Sequence, residues 1–351
     1  MQTPIRFGFV GAGQIAHNSV EKVNSHPDGK AVAVTDTNFE RAQELCTSKG
    51  VEHACRNTEE LFARDDVDAV YIAVPNKFHA PLAIAALKAG KHVLLEKPFA
   101  TNYAEAHEVI QTANETAKVF SLGMNYRLRP EVQKARAVVE TGALGELYHG
   151  KAWWYRRKGI PKLGTWFGNK ALSGGGSLYD IGVHYLDLCL YLMGEFKPVS
   201  VSGATYTKFG NRGAGEGGWG MSERTDIQFD VDDFASALIR LESGATITLD
   251  VAWACHTEQA HLKDIRLFGT DAGMLADPCQ LFRQNNETGE YETVTDFDVK
   301  IPFPHGDRFH NMINHLLGRE PLSTSHEEAL AVQKILDAIA ESTLSGKEVA
   351  C

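Results

Sequence analysis

The spacing of apolar and polar residues divides the chain near residue 125. Before that point, nearly continuous apolar runs at residues 5–10, 31–35, 68–74, 91–95 and 119–123 read as buried strands. Between them lie stretches of helical period: from Ile15 through Val23, over 39–49, over 58–62, an Ala-rich run from Pro81 to Gly90, and over 102–117. Buried strands alternating with helices predict a parallel, doubly wound sheet. After residue 125 the alternation stops. One helix over 130–141 closes at Gly142, and strand-like segments follow at 147–155, 199–207, 233–241, 245–254 and 265–269. Glu242-Ser243-Gly244 reads as a hairpin connection. A helix is expected from Ser177 to Met193, and two closing helices over 309–317 and 327–344 read as packing. The expected fold class is α/β plus α+β. Residues 1–125 form the doubly wound parallel sheet, and residues 126–351 an α+β domain on a mostly antiparallel open sheet. A chain of 351 residues has the length for two such domains.

Gly11-Ala12-Gly13-Gln14-Ile15-Ala16 follows the first strand and opens the first helix. In this G-x-G-x-x-A pattern the first glycine permits a tight turn, the second lets backbone approach a pyrophosphate, and the small Ala16 lets helix and strand pack closely. The helix start, with Gln14 and Ile15, then offers N–H groups to the phosphates. The second strand ends in Asp36, and 36 − 13 = 23 residues separate it from Gly13, near the spacing of the acid that binds an adenosine ribose. Strand, turn, helix, strand and acid together predict a Rossmann domain binding NAD. An acid repels a 2′-phosphate, yet Thr37, Asn38 and Arg41 leave NADP open. Otherwise the turn merely packs and Asp36 caps the next helix. Ligands of such sheets sit beyond the carboxyl ends of strands, where Asn76 and Lys97 also fall.

The second chemical stretch is Gly174 to Asp187. Ser177 is a plausible N-cap, Asp180 and His184 share a helix face at a spacing of four, and Asp187 falls beside His184. A carboxylate orients an imidazole and stabilises its cation, which is what a general base needs. The same spacing also suits a solvated or capping pair. Lys97, bracketed by Glu96 and Pro98, serves a substrate oxygen, the nicotinamide ribose of the cofactor or a pairing with Glu96. Residues 210–220, glycine-rich and holding Trp219, read as a mobile loop or a plain connection.

Composition narrows the functional classes. The chain is 43% hydrophobic and 23% charged, with a formal net charge of -10, which argues against a broad nucleic-acid surface. No apolar run reaches membrane length, and the first residues show no signal-peptide pattern. Six scattered cysteines without a C-x-x-C suit reduced cytoplasmic thiols, and Cys255-His256 with His261 matches no metal motif.

The order and intervals of Gly11–Ala16, Val74-Pro75-Asn76 with His79, Glu96-Lys97-Pro98 and Gly175-Gly176…Asp180…Gly182…His184…Asp187 resemble the Gfo/Idh/MocA oxidoreductases across the whole chain. Asp233-Phe234-Ala235 with Glu242-Ser243-Gly244 looks like that family's sheet. The resemblance implies hydride transfer between NAD(P) and a secondary alcohol or ketone of a sugar, inositol or sugar derivative. It implies that Lys97 is an active-site lysine in a usually cis Lys–Pro turn, that His184 takes the hydroxyl proton with Asp180 as partner, and that Asp187 is a substrate ligand. Asn76, His79 and Glu96 match positions lining the cofactor crevice, and Arg127 one near substrate or nicotinamide. Arg156-Arg157-Lys158 and Trp166-Phe167 depart from the general motif. They fit a pocket wall, with arginines for a carboxylate or phosphate and Trp166 for a sugar face, or else a basic surface turn. Relatives that retain NAD and cleave glycosides through transient C3 oxidation supply a second reading. A dinucleotide sensor is disfavoured, since it needs none of Lys97, Asp180 and His184. Relatives also imply a homodimer or homotetramer through the C-terminal sheet.

Overall fold

The computed structural model describes residues 4–218 and 228–351, so Trp219 and Gly220 of the expected loop lie outside the described residues. The chain forms two compact units. One comprises Met1–Met124 and Asp307–Leu330, the other Asn125–Gly306 and Ala331–Cys351.

The first unit runs β1 (Ile5–Val10), α1 (Gln14–Ser25), β2 (Gly29–Thr35), α2 (Phe39–Lys49), β3 (His53–Cys55), α3 (Thr58–Phe62), β4 (Ala69–Ile72), α4 (His79–Lys88), β5 (His92–Leu95), α5 (Tyr103–Thr116) and β6 (Phe120–Leu122). All pairings are parallel, in the order β3-β2-β1-β4-β5-β6. The apolar runs are explained by burial on both faces: Phe7, Phe9, Val34, Tyr71 and Leu94 are fully buried. Asn38 and Asn102 start α2 and α5 by accepting the N–H groups of Arg41 and Glu105. The strand order reverses between β1 and β4, which opens a crevice at their carboxyl ends.

The second unit carries α6 (Pro130–Glu140), β7 (Leu147–Arg156), α7 (Lys170–Ser173), α8 (Val183–Met193), β8 (Pro198–Tyr206), β9 (Phe234–Leu241), β10 (Thr246–Ala252), β11 (His261–Gly269), β12 (Gly273–Leu275), β13 (Gln280–Gln284) and β14 (Tyr291–Val294). With β15 (Val349–Ala350) these strands make a sheet ordered β14-β13-β12-β11-β7-β10-β9-β8-β15. Pairing is antiparallel except between β10 and β7. Helix α8 is buried along nearly its whole length.

One expectation changes: residues 307–330 do not join the second unit. Helix α9 (Arg308–Leu316) places Phe309, Met312 and Ile313 in the core of the first, where the Phe309 ring meets Tyr71 at 4.9 Å and Phe7 at 6.3 Å. Helix α10 (His326–Ser345) begins in the first unit and continues in the second. The described part of the 210–220 loop has the hydrogen bonds of a plain connection. Gly159 and Ile160 donate to the Gly215 carbonyl, Gly217 donates to the Ile160 carbonyl, and the Glu216 carboxylate accepts from Leu163 N–H at 2.9 Å. Among the described residues no helix is long and apolar enough to cross a membrane.

Candidate active site

In the first unit the glycine turn is built as its sequence requires. Gly11 has φ +100, and a Cβ there would stand 2.3 Å from the Ala73 carbonyl oxygen. A Cβ on Gly13 would meet nothing within 4 Å. No side chain caps α1, so its first N–H groups stay available to an anion, and Ile15 beside them is 54% exposed. The Asp36 carboxylate reaches the turn, accepting from Ala12 N–H at 2.7 Å and Asn38 N–H at 2.8 Å. Space beside Gly13, bare helix N–H groups and a carboxylate at the end of β2 fit a dinucleotide: Gly11, Gly13, Gln14 and Ile15 would face the pyrophosphate and Asp36 the ribose.

The Lys97 turn is held from inside. The Lys97–Pro98 peptide is cis. His79, 1% exposed, turns one ring nitrogen to the Pro98 carbonyl at 2.7 Å and the other to Val74 at 2.9 Å. Burial pushes its pKa down, against the pull of the two carbonyls. Glu96 accepts the Tyr71 hydroxyl hydrogen and pairs with Arg308, whose guanidinium also reaches the Tyr71 oxygen at 2.9 Å. His79 and Glu96, expected as cofactor ligands, are therefore struts beneath the turn, because their polar atoms are taken by the protein. Asn76 is buried in a short 3-10 turn after β4.

In the second unit the Gly174–Asp187 stretch departs from a plain capped helix. Residues Leu178–Gly182 form a π-helical turn that runs into α8, a distortion frequent at functional sites. Ser177 is already helical and does not cap. Its hydroxyl donates to Asp232, which also accepts Gly176 N–H at 2.7 Å and Leu178 N–H at 2.8 Å. Burial pushes the Asp232 carboxyl up despite these donors. A Cβ on Gly176 would lie 1.8 Å from the Asp232 carbonyl oxygen, so the close approach here is the protein's own backbone.

His184 is 6% exposed and stacks on Tyr126 at 4.1 Å and 12°. Asp180 accepts the Trp253 Nε1–H at 2.8 Å. Asp187 does not serve a substrate from beside His184. It forms a two-pronged pair with Arg127, both side chains at 1% exposure, and the guanidinium lies 4.8 Å from Tyr191 and 5.1 Å from Phe196. Neither Arg127 nor Asp187 has polar atoms left toward solvent, so both expected substrate contacts become internal supports.

The basic stretch divides. Arg157 is exposed and donates to the Thr257 and Glu258 carbonyls, which bind it to the following loop. Arg156 lies 4.2 Å over the Trp154 ring. Burial holds its guanidinium below its ordinary value, opposed by the negative charge of Asp180. Trp166 stacks on Phe167 at 3.8 Å. Tyr126, Trp154, Trp253 and Asp232 were not among the expected site residues. Trp154 alternates inward with Gly150 and Ala152 along β7, and that period of two was the available signal.

Comparison with known proteins agrees. Residues 5–124 match the family model described as an oxidoreductase family, NAD-binding Rossmann fold, and residues 132–275 match the GFO/IDH/MocA C-terminal domain. The chain is 30% identical to D-glucoside 3-dehydrogenase of Escherichia coli (strain K12) over 353 residues, covering 99% of this chain and 97% of that protein. It is also 30% identical to myo-inositol 2-dehydrogenase of Thermotoga maritima, over 54% of this chain and 55% of that one. The fold is shared with levoglucosan dehydrogenase solved with NADH, at TM-score 0.82 and 22% identity over 99% of both chains.

Proposed function

The chain belongs to the Gfo/Idh/MocA oxidoreductase family, with that family's NAD-binding Rossmann fold at its N-terminus, and from this premise we propose that it oxidises a secondary alcohol of a sugar, inositol or sugar derivative. One observation carries the reading: a buried imidazole, His184, held flat against Tyr126 where a π-helical turn meets α8, with the Asp180 carboxylate on that turn. Bound NAD supplies the hydride acceptor for the carbon-bound hydrogen. The substrate hydroxyl proton passes to the His184 imidazole as the carbonyl forms. Stacking limits rotation of the ring, and Asp180, on the turn before it, is the carboxylate we assign as its partner. Trp253 Nε1–H keeps Asp180 in place. Lys97 keeps the role implied by family resemblance, a cation for the developing alkoxide. The names of the relatives, a glucoside and an inositol dehydrogenase, support the substrate class. Assembly as a dimer or tetramer through the open sheet and a cytoplasmic location belong to the same reading.

The test is a panel of sugars, glycosides, inositols and uronates offered with NAD and, separately, NADP. Absorbance of reduced cofactor should appear with a polyol or sugar and favour NAD. Cofactor that copurifies, with cleavage of a glycoside and no net NADH, would redirect the reading to glycoside elimination. Silence throughout, with NAD bound, overturns it.

A further inference from the structure

Among the hydrogen-bond donors of the second unit that are shielded from solvent and meet no acceptor among the described residues are two ring and guanidinium N–H groups that lie together, Nε of Arg156 and Nε1 of Trp154. They are juxtaposed, since the guanidinium lies 4.2 Å over the indole ring. A buried donor without a partner costs about 1–3 kcal/mol, and more when charged. Arginine cannot escape that cost by losing a proton. An acceptor is therefore missing among the described residues.

Charge says what kind of acceptor. The exposed Lys263 lies 5.9 Å from the same Trp154 ring, and Arg129 lies 3.5 Å over Tyr126. The Tyr126 and Trp154 rings are 6.2 Å apart, and Tyr126 stacks on His184. Three cations thus gather on one aromatic surface beside the proposed base, in a chain whose net charge is -10. Five other arginines among the described residues of this unit are paired with carboxylates: Arg127 with Asp187, Arg136 with Glu140, Arg240 with Glu348, Arg266 with Asp264 and Arg283 with Glu292, while Arg157 binds backbone carbonyls and Arg212 lies over Phe209. Arg156, Arg129 and Lys263 have no carboxylate within ion-pair distance among the described residues. Of the nearby acids, Asp264 is engaged by Arg266 and Asp180 by the Trp253 indole, while Asp277 lies close to Tyr185 without an ion pair to any of the three cations. A neutral hydroxyl would fill one donor and leave the charge answered only by Asp180, which makes no ion pair with it. A planar or tetrahedral oxyanion matches the guanidinium fork and the charge together.

We infer that the substrate carries an anionic oxygen group, a carboxylate or a phosphate, which Arg156 and Trp154 receive within the field of Arg129 and Lys263. The inference rests on the dehydrogenase reading only for the hydroxyl that His184 deprotonates.

The experiment offers matched sets with NAD: D-glucose, D-glucuronate and D-glucose 6-phosphate, and myo-inositol with a myo-inositol phosphate. One anionic member should exceed its neutral counterpart in kcat/KM by about tenfold or more, and the advantage should shrink as salt rises. The carboxylate and phosphate arms identify the source. Arg156→Gln should cut the anionic-to-neutral ratio about tenfold, and Lys263→Gln, at an exposed position, about threefold. A wild-type enzyme that prefers neutral substrates, or a ratio unmoved in both variants, overturns the inference and leaves the dehydrogenase reading standing. If nothing in the panel is oxidised, that reading fails, and binding decides the inference alone. Titrating the NADH-loaded protein with glucuronate or inorganic phosphate should change tryptophan fluorescence saturably, and Arg156→Gln should weaken this about tenfold. No saturable change overturns it.

Discussion

Each unit contains a glycine-rich turn that leads into a helix, and the two are used in opposite ways. At Gly11–Gly13 the turn is open: a side chain on Gly13 would meet nothing within 4 Å, and α1 starts without a side-chain cap. At Gly174–Gly176 the turn is closed by the protein. The Asp232 backbone lies where a Gly176 side chain would be, and the Asp232 carboxylate takes the N–H groups of the helix start. The open turn has the character of a ligand site, while the closed one belongs to a scaffold that holds Asp180 and His184. Glycine thus announces close approach without saying what approaches. The donors around it make that distinction.

The comparison breaks if the closed region proves to serve substrate directly. The largest test is Asp187→Ala, which leaves Arg127 buried and unpaired and should cost about 3–5 kcal/mol. Thermal melting should fall by roughly 10 °C, and the double replacement Asp187→Leu with Arg127→Met should recover much of the loss. Unchanged melting with a raised KM would make Asp187 a substrate ligand instead.

Next comes the glycine pair itself. Gly176→Ala should destabilise the fold by about 2–3 kcal/mol, because the Asp232 backbone must move. Gly13→Ala should melt like wild type yet bind NADH about tenfold more weakly, as the added carbon occupies ligand space. Melting curves and NADH fluorescence titrations separate the two, and the reverse pattern would dissolve the contrast.

A smaller effect sharpens the closed side. Trp253→Phe removes the donor to Asp180 and should lower kcat about tenfold, with KM nearly unchanged, in steady-state assays of NADH formation.

The smallest effect lies away from both turns, where β5 begins. His92 accepts Val119 N–H on Nδ1 at 3.0 Å, and burial pushes its pKa down to about 4. Above its ordinary value of 6.5 the ring is neutral folded or unfolded. As pH falls below that, the unfolded chain takes a proton that the folded one refuses. The stability contributed by this group is therefore present above the unfolded value and lost as pH falls toward about 4. Melting temperature should decline between those limits, and less steeply in His92→Gln.

Much of this was legible in the sequence. Nearly continuous apolar strands can only be buried on both faces, so the parallel sheet followed from pattern alone. Gly11, Gly13 and Asp36 carried their spacing. Other features were not legible for physical reasons. The apolar face of α9 says that something covers it, not which unit. Strands β12 to β14 are too short to show a period. The Arg127–Asp187 pair spans 60 residues, and no local rule joins them. His79 and Glu96 carry the right chemistry for a cofactor crevice, yet their polar atoms face Pro98, Val74, Tyr71 and Arg308. A π-helical turn also escapes a search made with a period of 3.6.

The central claim is that His184 takes the substrate proton. The most direct measurement mixes NAD-loaded wild-type and His184→Ala protein rapidly with the best substrate of the panel, follows NADH in the first turnover, and titrates NADH separately. The account predicts a rate lower by about 10²–10⁴-fold in the variant, with NADH affinity within about twofold of wild type because the cofactor turn lies in the first unit. A first turnover within threefold of wild type, at unchanged affinity, contradicts it.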